Sequence, residues 1–379
     1  MYRKLLVAVL YGGKSVEHVV SCRSAVTICK HLVAHNHTVI PIGIDREGRW
    51  SLQEEDIWQS EACLPSTFRE KGEIVVLPGR GLKLTTQKNF LPLDIAFPVT
   101  HGSGGEDGLL QSLLELAEIP YVGSNPTASA IGMHKHLAKI IVQQAGISTL
   151  PSVLCALRDM QQWRDDTDPQ FLLFFQTVIK KLGQSIIVKP EDGGSSVGVS
   201  ALTASSPQGL WNALQSALQY TQLVLLEPFL EEVQEIECAV VCSDGTMTAS
   251  TPGLVIDPER QGMPFLTYEQ KYLALHQAYL QVPAPIPEHV LVEISQQAKV
   301  VAEVVGVSGY ARVDFFREPK TGAIWFNEIN TLPGMTDKSH FPALAETMGF
   351  TWGSLISTLL EEGFIAYGAR TSRQVYALE

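Results

Sequence analysis

Four side chains near the C-terminal end, Arg312, Asp314, Glu328 and Asn330, are of types that handle charge on phosphates. They lie in two apolar-rich segments, 311–317 and 323–330, separated by Lys320-Thr321-Gly322, which reads as a β-hairpin. Side chains alternate along a strand, so Arg312 and Asp314 share one face, as do Glu328 and Asn330 on the partner. Two carboxylates, an amide oxygen and a guanidinium thus converge, and such oxygen donors suit Mg²⁺ held jointly with substrate phosphates. The competing reading is a solvated strand face with an ordinary Arg–Asp pair. Val313, Phe315, Phe326 and Ile329 oppose it, because they give the hairpin a convincing buried face. Directly after comes the turn Asn330-Thr331-Leu332-Pro333-Gly334-Met335-Thr336, whose Gly334 N–H could point at a developing oxyanion.

A second group surrounds Lys189, which ends an apolar strand before the loop Glu191-Asp192-Gly193-Gly194-Ser195-Ser196-Val197-Gly198. Backbone N–H groups of such a loop can wrap phosphates, with Ser195 and Ser196 adding hydroxyl donors. The loop lacks the Gly-x-x-x-x-Gly-Lys-Ser/Thr pattern, and alone it reads equally as a flexible connector. A lysine at the end of a buried strand needs an anionic partner, which a nucleotide phosphate would supply. Gly12-Gly13 precedes a helix without the Gly-x-Gly-x-x-Gly of dinucleotide binding. Glu17 near that helix's N-terminus reads as a capping acid or as a functional carboxylate. His101, at a strand's carboxyl end in a glycine-rich setting, is similarly open, and Lys271 and Tyr272 fall in a long proline-rich stretch.

The elements that must position these groups follow from periodicity. Strands at 4–11, 38–44 and 93–99 alternate with helices at 17–32 and after Gly108, where Leu109, Leu110, Leu113, Leu114 and Ala117 form one stripe. The pattern implies a doubly wound parallel sheet with ligands beyond the strands' carboxyl ends. Residues 48–84 have weak periodicity and read as a peripheral insertion. Asn125-Pro126 starts a helix expected to run to about Ala145, and another helix covers 170–182. Strands follow at 185–189 and 223–226. The last third reads as a hairpin (235–241 with 247–250), a long functional loop over 251–287, a helix over 288–305 and the hairpin described above.

At 379 residues, the chain predicts two or three domains. Its 45% hydrophobic and 18% charged content is that of a globular protein with a sizeable core. The apolar runs are too short for a membrane span, and no signal peptide is expected. A net charge of −12 repels nucleic-acid backbones, so nucleic acid is not an expected partner. Six cysteines show no Cys-x-x-Cys pair; Cys238 and Cys242 read as same-face core positions, and a reducing cytoplasm is expected.

Taken together, the blocks 12–18, 101–108, 188–198, 268–272, 312–314 and 327–335 make the chain resemble the D-alanine–D-alanine ligase family of ATP-grasp enzymes over nearly its whole length. The resemblance implies an N-terminal doubly wound domain (1–124) followed by a two-subdomain ATP-grasp fold, central (125–226) and C-terminal (227–379). It implies that ATP lies between two sheets. Lys135, Lys189 and Ser196 would contact phosphates, Glu227 the adenine amino group and Glu235 the ribose, while Phe229, Leu230 and Phe265 would form apolar walls. Asp314, Glu328 and Asn330 match ligands of two Mg²⁺ ions, for which Mn²⁺ can substitute, with Glu328 bridging.

Arg312 and the Gly334 N–H match the family's oxyanion donors. Glu17 matches the acceptor for the first substrate's ammonium, in a Glu17–Ser195–Tyr272 network. His101, Lys271 and Ser339 match substrate-binding positions, the last two holding the second substrate's carboxylate. The implied reaction joins two D-alanine molecules through an acyl phosphate for peptidoglycan precursors, in a cytoplasmic homodimer. Val19, His134 and Thr267 depart from the usual pattern, which puts local hydrogen bonding in question. Two other readings stay open: a ligase of the same fold with a different nucleophile, such as a hydroxy acid, and a nucleotide-binding regulator without turnover.

Overall fold

A computed structural model describes residues 3–258 and 278–372. Phe265, Thr267, Lys271 and Tyr272 lie outside the described residues. The first sheet forms where apolar runs can be covered on both sides. It contains β1 (Leu6–Gly12), β2 (Thr38–Ile44) and β3 (Trp50–Leu52), with β4 (Ile74–Leu77) and β5 (Gly81–Leu84) forming a hairpin beside it and β6 (Ile95–Pro98) completing it. The order is β3-β2-β1-β6, with β1 parallel to both β2 and β6 and β3 antiparallel to β2. Helix His18–Ala34 covers one face, burying Cys22, Ile28 and Leu32 against Val7, Val9 and Tyr11. Helix Leu109–Leu116 covers the other, where Leu110 and Leu114 meet Ala8, Leu10 and Ile42. Burial on both faces is why these strands read as nearly continuous apolar runs. Because β1 lies between β2 and β6, the chain leaves it in opposite directions and opens a crevice beyond its carboxyl end.

Two expectations change here. Leu109, expected on the buried stripe, is 66% exposed because it is the helix's first residue and faces solvent. Residues 48–84 are not peripheral: β3 extends the main sheet, and Trp58 and Leu64 are buried against helix His18–Ala34. The Tyr11 hydroxyl ties this stretch down by donating to the Pro65 carbonyl at 2.8 Å.

The middle sheet comprises β7 (Val153–Ala156), β8 (Ile186–Pro190), β9 (Ser200–Leu202) and β10 (Leu223–Pro228), antiparallel throughout in the order β7-β10-β8-β9. Helices Pro169–Leu182 and Pro207–Ala217 back it with Phe171, Val178, Leu210 and Leu214. Each starts with a capping side chain followed by proline: Asp168 accepts from the Gln170 N–H at 2.9 Å and Ser206 from the Gly209 N–H at 3.1 Å.

The last sheet holds β11 (Gln234–Ser243), β12 (Thr246–Ala249), β13 (Gly253–Ile256), β14 (Tyr279–Gln281), β15 (Tyr310–Arg317) and β16 (Ile324–Asn330). Its order is β14-β13-β11-β15-β16, with β12 also paired to β11. Thus the stretch 251–287, expected as a loop, contains two strands; each is only three or four residues long, too short to show a period. Ile236, Cys238 and Val240 pack with Val313, Phe315 and Phe326 against helix Glu288–Val305, and Cys242 borders the same core as expected.

The single helix expected after Asn125 is two, Pro126–Met133 and Lys135–Gln144, broken at His134 (φ −86°, ψ 94°). Both contribute to the core of the last sheet through Ala128, Ala138 and Val142. Helices His340–Glu346 and Trp352–Thr371 return to the first sheet, so Phe341, Leu355 and Leu359 share one core with Val9 and with Val241 of β11. That shared core fixes the first sheet's carboxyl ends relative to the turn bearing Gly334. No helix among the described residues is long and apolar enough to cross a membrane.

Candidate active site

A cleft separates the middle and last sheets, and most of the side chains singled out above meet there. Lys135, Lys189, Ser195, Ser196, Phe229 and Leu230 line one side. Glu235, Arg312, Asp314 and Glu328 line the other.

The C-terminal hairpin delivers its acids as the alternation requires, with Arg312 opposite Asn330 and Asp314 opposite Glu328. A bulge follows, because Phe315 pairs with Phe326 and leaves Asn327 unopposed. A bulge re-aims side chains, and Asn327 joins Glu328 at the cleft, its Oδ1 3.4 Å from Lys189 Nζ. Arg312 grips Asp314 with two bonds, Nε to Oδ1 and Nη2 to Oδ2, each 2.8 Å. Asn330 Nδ2 donates to Asp314 Oδ2 at 3.0 Å. Burial pushes the Asp314 carboxyl up to about 7; Arg312 opposes the shift, while Glu237 and Glu328 reinforce it. Burial works against the Arg312 guanidinium, yet Asp314 and Glu237 hold its proton well above the usual range.

A carboxylate raised in this way is short of positive charge, which a divalent cation would supply. The donors present, two carboxylates and an amide, therefore fit Mg²⁺. No group of three or more His, Cys, Asp or Glu side chains among the described residues forms a closed metal cage. That suits an ion completed by phosphate oxygens and water.

Opposite, Ser195 (φ 52°) and Ser196 (φ 59°) are consecutive residues in the left-handed region, a costly conformation for side-chain-bearing residues. It turns the loop so that the Ser195 hydroxyl donates to Glu17 Oε1 at 2.5 Å. Glu17 is hemmed in by two glycines: a Cβ on Gly102 would sit 2.8 Å, and one on Gly194 2.9 Å, from Glu17 Oε2. The expected Glu17–Ser195 contact is thus present; its third member, Tyr272, lies outside the described residues. Lys135 Nζ donates to the Gly193 carbonyl and stands 3.6 Å from Glu328 Oε2, bridging the cleft.

Glu227 is tied into a buried ionic cluster at the cleft. It is fully buried, with Lys139 Nζ on Oε1 and Lys189 Nζ 2.6 Å from Oε2. Burial alone would raise its carboxyl, but the two lysines outweigh it and hold the group down to about 2. The carboxylate anchors Lys189 at the cleft, which Glu227 lines together with Pro228, Phe229 and Leu230.

His101 is buried between the first sheet and the Gly334 turn. Its ring is 6% exposed, with Nδ1 3.0 Å from the Leu332 carbonyl and Nε2 3.3 Å from Ser24 Oγ. Both nitrogens have protein partners, so it fastens the end of the first sheet to the Gly334 turn. Burial disfavours the charged ring, but Glu106, Glu17 and the Leu332 carbonyl raise its pKa above the ordinary value. Beside Gly334, a Cβ would meet Ser339 Oγ at 2.9 Å. Ser339 Oγ also accepts from the Thr336 N–H at 3.0 Å at the start of helix His340–Glu346.

Three contributors escaped the sequence reading. Lys139 is one helical turn after Lys135, so its spacing was a usable signal. Glu237 is two residues after Glu235 on β11 and therefore on the same strand face. Glu191 has no local signal. Its Oε2 lies 2.6 Å from His134 Nδ1 and its Oε1 accepts from the His136 N–H at 2.8 Å, which breaks the expected helix at His134 and caps its second half.

Comparison with known proteins gives a consistent picture. The family model described as D-ala D-ala ligase N-terminus matches residues 6–124, and the one described as D-ala D-ala ligase C-terminus matches residues 141–361. D-alanine–D-alanine ligase A of Mesorhizobium japonicum is 36% identical over 375 residues, covering 98% of this chain and all of the relative. D-alanine–D-alanine ligase of Paenarthrobacter aurescens is 37% identical over 369 residues, 93% of each chain. Among solved structures, the D-alanine–D-alanine ligase of Coxiella burnetii superposes with a TM-score of 0.79 at 28% identity, over 97% of both chains. The VanG D-Ala:D-Ser ligase of Enterococcus faecalis gives 0.76 at 28% identity, over 96% of this chain and all of the other.

Proposed function

Because the chain belongs to the D-alanine–D-alanine ligase family, we propose that it joins two D-alanine molecules at the expense of ATP, through an acyl phosphate, with release of ADP and phosphate. The observation that carries this reading is the cleft itself. Asp314 and Glu328 on one wall, with Asn330 hydrogen-bonded to Asp314 beside them, face Lys135, Lys189 and the Ser195–Ser196 loop on the other.

The chemistry asks for alignment more than for covalent help. A carboxylate is a poor acyl donor until its oxygen carries a phosphoryl group, and transfer of that group needs charge neutralisation and an in-line approach. Lys135 and Lys189 are placed for the phosphates, and the wall of Phe229 and Leu230 for the base, with Glu235 for the ribose. Two Mg²⁺ ions held by Asp314, Glu328 and Asn330 would neutralise the phosphate oxygens.

Glu17 is placed to accept the first D-alanine's ammonium group, with Ser195 fixing its carboxylate. The carboxylate oxygen of the first D-alanine then attacks the γ-phosphorus of ATP, ADP leaves, and the D-alanyl phosphate forms. The amine of the second D-alanine, whose carboxylate is held by Ser339 and Lys271, attacks the acyl carbon. Arg312 and the Gly334 N–H stabilise the resulting oxyanion, the amine loses a proton, and phosphate departs. Removing one such donor typically lowers rate by roughly 10²–10³. Tyr272, matching a tyrosine that D-lactate-using relatives lack, favours D-alanine as the second substrate. By the same reading the enzyme is a cytoplasmic homodimer that supplies peptidoglycan precursors.

The test is to incubate the protein with Mg-ATP and D-alanine, D-serine or D-lactate, following phosphate and ligated product. Phosphate release that requires D-alanine and yields the dipeptide is the expected result. Mixed product only when D-serine or D-lactate is supplied together with D-alanine would move the second substrate elsewhere, and no release with any of them would favour a nucleotide-binding regulator.

A further inference from the structure

One carboxylate oxygen joins the two halves of the acyl-transfer site. Glu237 lies on β11 directly opposite Asp314 on β15 and is 8% exposed. Its Oε2 is 3.3 Å from Arg312 Nε and 2.9 Å from His340 Nδ1. Arg312 is thereby paired with two carboxylates along one edge, Asp314 through hydrogen bonds from Nε and Nη2 and Glu237 through an ion pair at Nε. Its Nη1 is used in neither contact and is the edge left for an oxyanion. His340 is the first residue of helix His340–Glu346, adjoining Ser339, and this helix packs its Phe341 and Leu344 into the core shared with β11.

We infer that Glu237 and His340 are a pair of positioning residues that set the distance between the oxyanion donors and the carboxylate site of the second substrate. The inference rests on the proposed ligase reading and assigns the pair a role within it. The two-bond grip of Asp314 sets the guanidinium plane, and Glu237 couples that guanidinium to His340. The Glu237 carboxylate that pairs with Arg312 also holds the residue next to Ser339, so movement of either end displaces the other. Neither side chain touches substrate in this account. The effect is on where the incoming amine stands relative to the acyl carbon, and orientation of this kind is sensitive to shifts on the order of 1 Å.

The experiment compares full-length wild type with His340→Leu, His340→Asn, Glu237→Gln and the double variant Glu237→Gln/His340→Leu. Asparagine places its amide nitrogen where the Nδ1 donor was, so it can keep the bond to Glu237; leucine cannot. His340→Leu should raise KM for the second D-alanine by about tenfold, as for one lost charge-assisted hydrogen bond. KM for ATP and for the first D-alanine should stay within about twofold, since these do not depend on the pair. His340→Asn should restore the second-substrate KM. In the double-mutant cycle the effects of Glu237→Gln and His340→Leu should be less than additive, as for residues in one network.

An unchanged second-substrate KM in His340→Leu, failure of asparagine to rescue, or full additivity would overturn the inference. A loss shared equally by all three KM values with a lowered Tm would make the pair merely structural and overturn it too. Wild type assayed alongside separates the failures: if it shows no D-alanine-dependent phosphate release, the ligase reading falls and the inference with it. If wild type turns over normally, a negative result counts against the inference alone.

Discussion

The Ser195 hydroxyl donates to a Glu17 carboxylate oxygen at 2.5 Å, although the two residues are 178 positions apart in sequence. The bond joins the loop after β8 to the start of the helix after β1, so the middle and first sheets meet at one atom pair. A hydrogen bond to a charged group is worth about 1.5–3 kcal/mol. Ser195→Ala should therefore lower kcat/KM for the first D-alanine by roughly ten- to hundredfold, with little change in Tm. Steady-state kinetics with the first-substrate KM resolved checks this, and an unaltered kcat/KM would remove Ser195 from substrate placement.

Glu227 is the counter-charge for two lysines that are themselves buried, Lys139 and Lys189. Removing one partner of a buried ionic cluster leaves uncompensated charge, typically about 3–5 kcal/mol of destabilisation. Glu227→Gln should show a clearly lowered urea midpoint together with weaker nucleotide binding. Loss of nucleotide binding at an unchanged midpoint would instead favour the direct adenine contact expected from sequence.

The Asp314 carboxyl gives a pH dependence whose sign is fixed. Its pKa is raised from 3.8 to about 7 in the folded protein, where burial and neighbouring acids disfavour the charge. Across that window the folded state keeps a proton that the unfolded chain has lost, so this group's contribution to stability declines as pH rises from about 4 to about 7. With metal and nucleotide absent, the urea midpoint of wild type should fall over this range more than that of Asp314→Asn. Parallel pH profiles for the two proteins would contradict the assignment.

How much of this was legible beforehand depends on how local the cause is. The acidic hairpin could be read because period-two alternation and a glycine turn are properties of neighbouring residues. The structure places Asp314 opposite Glu328 and Arg312 opposite Asn330. The bulge at Asn327 went unread, although Phe326 and Ile329, three residues apart on one buried face, already break the alternation. The break at His134 was hidden because its cause, Glu191, is 57 positions away. The stretch 48–84 looked peripheral for a similar reason: Trp58 and Leu64 follow no helical or strand period and are buried only once helix His18–Ala34 is in place. Likewise Glu227 carried no sign that its carboxylate turns inward, because Lys139 and Lys189 approach it from different elements.

The central claim is that Asp314, Glu328 and Asn330 hold the divalent ions that serve phosphoryl transfer to D-alanine. It is tested most directly by D-alanine-dependent phosphate release from Mg-ATP in wild type and Glu328→Gln, both confirmed folded by their unfolding midpoints. Glu328→Gln keeps the shape of the side chain and removes its charge, and the account predicts a fall of roughly 10³ or more in turnover, the scale expected when charge stabilisation of the transition state is lost. Near-normal turnover in Glu328→Gln would contradict it.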